Sequence, residues 1–284
     1  MRILITGAAG MLGTDVRAAA DAAGHEPVAL GRADLDIADA IAVRRAVSDV
    51  APDVVVNCAA WTNVDGAEAD FAAALAINGP GAGNVAAAAT DAGAWTLHIS
   101  SDYVFNGSKA TPYVESDAAD PLSAYGRSKL QGELAVAAAA GAGRGGYTIV
   151  RSSWLFGAHG KCFPKTILRL AAERDELNVV SDQLGGPTFT GHLARALVHL
   201  ADRPRPGTLH VAGPQFCSWY EFAAEIVAAS GLACTVKPIS TDEYPLAAPR
   251  PAYSGLATER GAPQLPDWRS GLRAFMSELS EVQT

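Results

Sequence analysis

Short apolar runs alternate with longer stretches of helical spacing through the first half of the chain. Arg2 to Thr6 reads as a strand, and after the turn Gly7-Ala8-Ala9-Gly10-Met11-Leu12-Gly13 the apolar positions fall on one helical face through Val16 toward Ala23, where Gly24 stops the pattern. Glu26 to Leu30 repeats the strand pattern, Asp39 to Val50 the helical one, and Asp53 to Asn57 gives a third strand leaving through Cys58-Ala59-Ala60. Trp61 to Asp65 opens a long alanine-rich helical region, Gly93 to Ile99 forms a fourth strand that delivers Ser100 and Ser101, a helix begins around Tyr125, and Gly146 to Arg151 is a further strand. Strands separated by helices imply a parallel, doubly wound α/β sheet.

Beyond Ser152 the regularity falls. A helix is expected near Phe163 to Glu173, a strand near Leu177 to Val180, a turn from Asp182 to Thr188, and a helix near Gly191 to Ala201. Thr208 to Val211 is placed back in the main sheet, Ser218 to Ser230 is helical, and the proline-rich Tyr244 to Pro251 is irregular. The expected division is a Rossmann-type dinucleotide-binding domain over 1–150, completed by about 185–212. Residues 151–284 mainly form a smaller α/β lobe over the strand ends.

Composition narrows the class of partner. With 49% apolar and 18% charged residues over 284 positions, the chain buries a substantial core. A formal charge of −8 without a Lys/Arg-rich run argues against a nucleic-acid surface, although a local basic pocket for an anionic ligand is compatible with it. No apolar stretch approaches the ~20 residues of a membrane span. Cys58, Cys162, Cys217 and Cys234 lack paired metal or redox spacing. Reduced thiols and a start that enters a strand directly point to a cytoplasmic protein with a small-molecule partner and no membrane contact.

The candidate chemistry sits at the predicted strand ends. Strand, glycine turn and helix form the arrangement that binds a pyrophosphate, so Gly7, Gly10, Met11, Leu12 and Gly13 are candidate cofactor contacts, although a tight structural turn has the same glycine spacing. An acid usually follows the second strand; here Gly31 is followed by Arg32, which predicts NADPH over NADH. Asp36 and Ile37, the exit residues Cys58, Ala59 and Ala60, then Thr62 and Asn78, complete the predicted cofactor set. Tyr125 and Lys129 share a helix face, and the fourth strand brings Ser101 toward them, a trio suited to proton transfer. Taken alone, Tyr-x-x-x-Lys is also a common surface-helix pattern.

The separated segments taken together resemble the dTDP-4-dehydrorhamnose reductase family, a branch of the extended short-chain dehydrogenases. The resemblance rests on the glycine triplet, Asn57-Cys58-Ala59-Ala60, Ser101-Asp102-Tyr103-Val104-Phe105, Tyr125 with Lys129, Arg151-Ser152-Ser153-Trp154, Asp182-Gln183 with Pro187-Thr188, and Arg250-Pro251 with Ser254 and Leu256. It implies reduction of the C4 ketone of a dTDP-4-keto-6-deoxyhexose, with dTDP-4-dehydro-L-rhamnose giving dTDP-L-rhamnose. In that reading Tyr125 protonates the nascent alkoxide, Lys129 binds the nicotinamide ribose and lowers the Tyr125 pKa, and Ser101 bonds the substrate oxygen. Val64, Asp102, Tyr103, Trp154, Phe163, Gln183 and Arg250 join Ser101 as implied substrate contacts, with Arg250 toward the diphosphate. NADPH is the implied cofactor, with NADH as an accepted substitute.

Some positions depart from the family. Cys162 stands where an Asn is common, Gly31 replaces an acid found in some relatives, and Asp15 and His192 fall near glutamates through which some relatives hold a magnesium between two subunits. The choice between monomer and homodimer, and any role for magnesium, therefore stay open. A dehydratase on the same fold relies on adjacent Asp and Glu, whereas Asp102 is followed by Tyr103, which disfavours elimination. Two more functions are compatible with these motifs: reduction of a different nucleotide 4-ketosugar in specialised deoxysugar or aminoglycoside biosynthesis, and service as a non-catalytic NADP-binding regulatory subunit.

Overall fold

A computed structural model describes residues 1–140 and 145–282. In chain order the first half comprises β1 (Arg2–Thr6), α1 (Met11–Ala22), β2 (Glu26–Leu30), α2 (Ala40–Val50), β3 (Val54–Asn57), α3 (Val64–Ala69), α4 (Phe71–Ala76), a π-helical turn (Ile77–Gly81), α5 (Ala82–Asp91), β4 (Trp95–Ser101), α6 (Ala124–Ala140) and β5 (Tyr147–Ser152). The second half comprises β6 (Leu155–Phe156), α7 (Phe163–Glu173), β7 (Glu176–Val180), β8 (Leu184–Gly185), β9 (Thr188–Phe189), α8 (Thr190–Asp202), β10 (Gly207–His210), β11 (Cys217–Ser218), α9 (Trp219–Ser230), β12 (Thr235–Ile239) and α10 (Trp268–Val282).

Six strands make one parallel sheet in the order β10-β5-β4-β3-β1-β2. It is buried on both faces, and the alternation of side chains along each strand sorts its residues between two helical layers. Ile3, Ile5, Val54 and Val56 pack with Leu12 and Val16 of α1 and with Leu193 and Leu197 of α8. Leu4 and Val55, one residue out of phase, pack with Val43 and Val47 of α2 and Val85 of α5. The chain passes from β1 outward to β2 and returns to β3 on the other side, so a crevice opens at the carboxyl ends of β1 and β3.

The long alanine-rich region is broken where the sequence pattern runs on as one helix. Asp70 ends α3 and caps α4 by accepting from the Ala73 amide at 3.0 Å. Pro80, which has no amide hydrogen to donate, lies in the π-helical turn that follows. The first turn of α6 is fixed by two acceptors: Ser123 Oγ takes the Gly126 amide at 3.0 Å, and Glu68 of α3 takes the Ala124 amide at 2.7 Å. Glu68 is thus a cap, and it sets the position of Tyr125.

The second lobe is small and aromatic. Phe156, Phe189, Phe222, Trp268 and Phe275 form its buried core, with Ile167 of α7 and Leu177 and Val179 of β7. The strand β12 pairs in parallel with β7, and α10 packs across the lobe; neither element stands out in the sequence pattern. The chain from 190 to 210 instead belongs to the sheet domain, where α8 covers one face and β10 pairs with β5. Among the described residues no helix is long and apolar enough to cross a membrane.

Candidate active site

At the β1 end of the crevice the binding surface is backbone. Gly7 has a φ of 65°, and a Cβ there would lie 2.6 Å from the Ala59 amide nitrogen. A Cβ on Gly13 would lie 2.5 Å from the Gly7 carbonyl oxygen. Both positions therefore demand glycine. The N-terminus of α1 has no side-chain cap and no acid in its first turn, so its amides are available to an anion. This cradle fits the pyrophosphate of a dinucleotide. Met11 packs beside Gly157 and Gly160 of the second lobe, whereas Leu12 points into the core.

The remaining cofactor candidates divide. Arg32 is exposed at the end of β2. An acid is present there after all: Asp34 folds back and accepts the Gly31 amide at 2.8 Å. Asp36 is exposed and closes a local turn onto the Ala38 amide, while Ile37 is buried in the core and its carbonyl accepts from Asn84. Cys58, Ala59 and Ala60 line the β3 exit half-exposed, and Thr62 is exposed just beyond. Asn78 is turned inward: its amide nitrogen donates to the Trp61 carbonyl and to Ser128 Oγ, and its oxygen accepts the Trp61 amide. Both donors are engaged within the protein, so Asn78 fixes the Trp61 loop against α6.

On the β4 and α6 side the chemistry is carried by side chains. Ser101 Oγ donates to Asp102 Oδ1 at 3.0 Å and accepts the Tyr103 amide at 3.1 Å. The Tyr125 hydroxyl lies near enough to Ser101 for the serine to pull its pKa down. Lys129, buried one turn along α6, donates from Nζ to the Ile99 carbonyl at 2.7 Å. Tyr125 thus lies beside Ser101, and Lys129 reaches the β4 backbone two residues before that serine. Burial pushes the Tyr125 phenol up to about 12, against the pull of Ser101. The Lys129 ammonium is itself pulled down to about 8 by burial and is turned toward a carbonyl. Tyr125 is thus a phenol at neutral pH.

Around this trio the other predicted contacts take definite partners. Asp102 is buried, which raises its carboxyl to about 6 against the pull of Ser254 and Ser101. Tyr103 meets Tyr125 edge to face, with ring centroids 5.6 Å apart. Val64 is half-buried at the start of α3. Arg250 makes a two-point pair with Asp65, 2.7 Å from NH2 to Oδ2 and 3.2 Å from NH1 to Oδ1, and Asp65 also accepts the Ala248 amide. That pairing holds the Asp65 carboxyl below the usual range. Gln183 is buried and donates to Thr241 Oγ1 at 3.0 Å, so its amide ties the lobe together.

Trp154 has a left-handed φ of 46°, uncommon for so large a side chain. Its indole stacks on Trp219 with centroids 3.4 Å apart, and Phe163 packs against Trp219 at 4.6 Å. Sequence reasoning gave no role to Asp65 or Trp219, and it had Ser254 only as part of the Arg250 to Leu256 motif. The only local signal near Trp219 was the Ser218 and Glu221 capping pair on either side of it at the start of α9. Asp15, with Oδ1 3.7 Å from His159 Nε2, joins no metal cluster: among the described residues no group of three or more His, Cys, Asp or Glu is placed to hold a metal ion.

Comparison with known proteins agrees over nearly the whole chain. The spore coat polysaccharide biosynthesis protein SpsK of Bacillus subtilis is 43% identical over 284 residues, covering 99% of each chain. A dTDP-4-dehydrorhamnose reductase of Burkholderia thailandensis is 42% identical, covering 98% of this chain and 99% of its own. The crystal structure of the Bacillus anthracis dTDP-4-dehydrorhamnose reductase in complex with NADP superposes with a TM-score of 0.93 at 38% identity, covering 98% and 99% of the two chains. Residues 1–281 match the RmlD substrate binding domain model, and the chain belongs to that family of reductases.

Proposed function

We propose that the protein uses NADPH to reduce the C4 ketone of a dTDP-linked 4-keto-6-deoxyhexose, with dTDP-4-dehydro-L-rhamnose as substrate and dTDP-L-rhamnose as product. The observation that carries this reading is the placement of Tyr125 beside Ser101 and of Lys129 against the β4 backbone, together with the uncapped N-terminus of α1. Bound NADPH supplies the hydride. The residues of the chain handle the oxygen and the proton. Ser101 hydrogen-bonds the ketone oxygen, and Tyr125, protonated at neutral pH, delivers its proton to that oxygen as negative charge develops. Lys129 offers its charge to the phenolate left behind and its donors to the nicotinamide ribose.

The rest of the crevice is assigned by the same chemistry. The α1 amides take the pyrophosphate and Arg32 the 2′-phosphate. Arg250 exchanges Asp65 for the sugar-nucleotide diphosphate, for which its planar fork is equally suited. Trp154, Phe163 and Trp219 present aromatic surface to the sugar and base. Residues 1–150 with the 185–212 segment bind the cofactor, and the small lobe binds the substrate. Four free cysteines suit a cytoplasmic setting.

The test is a coupled assay in which a dehydratase and an epimerase make the ketosugar from dTDP-glucose and NADPH absorbance is followed. Oxidation that requires the epimerase is expected. Oxidation without it identifies a different dTDP-4-ketosugar as substrate, and none in either case, with NADPH bound, overturns the assignment in favour of a binding subunit.

A further inference from the structure

Behind the Lys129 ammonium lies a buried polar cluster that the proposed reaction does not use. Glu133 stands one turn after Lys129 on α6, so the two side chains share a face. Lys129 is 2% exposed and Glu133 5%. Three donors converge on the Glu133 carboxylate: Ser100 Oγ to Oε1 at 2.5 Å, Arg151 Nε to Oε1 at 2.9 Å, and Arg151 NH2 to Oε2 at 2.7 Å. Arg151 is in turn backed by His210, whose Nε2 lies 3.4 Å from NH1, and by the Phe105 ring at 5.0 Å. An ion pair this deep gains little stability over apolar residues of the same size, because desolvation offsets the attraction. Its placement under Lys129 suggests another use.

The groups that face Lys129 come from three elements. From the β3 exit comes Cys58, a neutral thiol that burial pushes up to about 12. From β4 comes His98, which burial and the Lys129 charge hold well below the usual imidazole range, so it is neutral too. On α6 itself stand the Tyr125 phenol and Glu133. Burial pulls the Lys129 ammonium down, and Glu133 leads the opposing influences. Of these groups Glu133 alone is held in an ion pair, with Arg151. We infer that Glu133 is a positioning residue that keeps the Lys129 ammonium charged in the candidate site, with Ser100 and Arg151 holding its carboxylate in place.

The direction of the effect follows from linkage. Lys129 works as a cation, so kcat/KM falls as pH rises through its titration. Without Glu133 that fall comes at lower pH.

The chain has five lysines, Lys109, Lys129, Lys161, Lys165 and Lys237, few enough for each to be followed by NMR of lysine-labelled protein without cofactor or substrate. In Glu133→Gln the Lys129 titration is expected to move down by about one pH unit or more. The alkaline limb of kcat/KM moves with it. Glu133→Asp retains the charge and keeps the titration near its wild-type position while losing a comparable amount of thermal stability. The double variant Arg151→Met/Glu133→Gln removes the pair together, a change that buried pairs commonly tolerate, and the same downward shift is expected there. An unmoved Lys129 in either folded Gln variant, or equal shifts in Glu133→Gln and Glu133→Asp, overturns the inference. The kinetic consequence rests on the reductase reading, but the titration does not. A shifted Lys129 in a protein that oxidises no NADPH would uphold the inference and sink only that reading.

Discussion

The two sides of the crevice are built by opposite means. At the α1 end the first helical turn has no acid and no side-chain cap, and Gly7 and Gly13 leave out Cβ atoms so that backbone amides can face an anion. On the α6 side the backbone is covered and function falls to buried side chains, Lys129 and Asp102 among them, whose protonation is set by burial and by one another. Backbone recognition tolerates changes of side chain but no added atom. Side-chain chemistry tolerates changes of volume better than changes of charge. The two sides should therefore fail differently when altered.

The largest effect is expected on the α6 side. Tyr125→Phe keeps the ring against Tyr103 and removes the proton, so kcat should fall by roughly 10²-fold or more while NADPH affinity and Tm stay close to wild type. Turnover within a few-fold of wild type would remove Tyr125 from the mechanism. Next comes the α1 side, where Gly13→Ala forces a methyl against the Gly7 carbonyl. At about 1–3 kcal/mol for such overpacking, NADPH affinity should weaken tenfold or more, with kcat at saturating cofactor far less affected. Calorimetry gives the affinity directly, and an unchanged Kd would show that the turn does not hold the cofactor.

A smaller effect is expected in stability. Asp102 has its carboxyl raised to about 6 in the folded protein, above its ordinary value of 3.8. The folded state then binds the proton more tightly than the unfolded chain, so this contribution is full below about 3.8 and is lost as pH rises through about 6. Asp102→Asn, which cannot ionise, should gain about 2 kcal/mol at neutral pH and lose that advantage in acid. Thermal unfolding of both proteins across this range measures it. A Tm difference independent of pH would mean that the carboxyl does not titrate on folding.

Much of the first half was legible in the sequence because its signals are local. Each strand is a short apolar run, the turns after β1, α1 and α5 have their glycines, and Tyr125 and Lys129 lie one helical turn apart. The alanine-rich stretch misled, since alanine favours a helix without marking where it breaks; Asp70 and Pro80 decided that. Asn78 shows a similar limit. Its distance from the strands suggested a ligand contact, but the direction of its amide depends on Trp61 and Ser128, which are remote in sequence.

The sequence by itself determined the doubly wound sheet and the glycine turn, which follow from local patterns repeated along the chain, and the family resemblance, which follows from short motifs in several separated segments. Only the tertiary structure decided how charge is distributed in the crevice. It brought Asp65 to Arg250 across 185 positions, Arg151 to Glu133 from a neighbouring strand, and Trp219 onto Trp154. It also decided how deeply Tyr125 is buried, which pushes its phenol up. Burial and pairing depend on every element that packs around a group, and local spacing does not encode that sum.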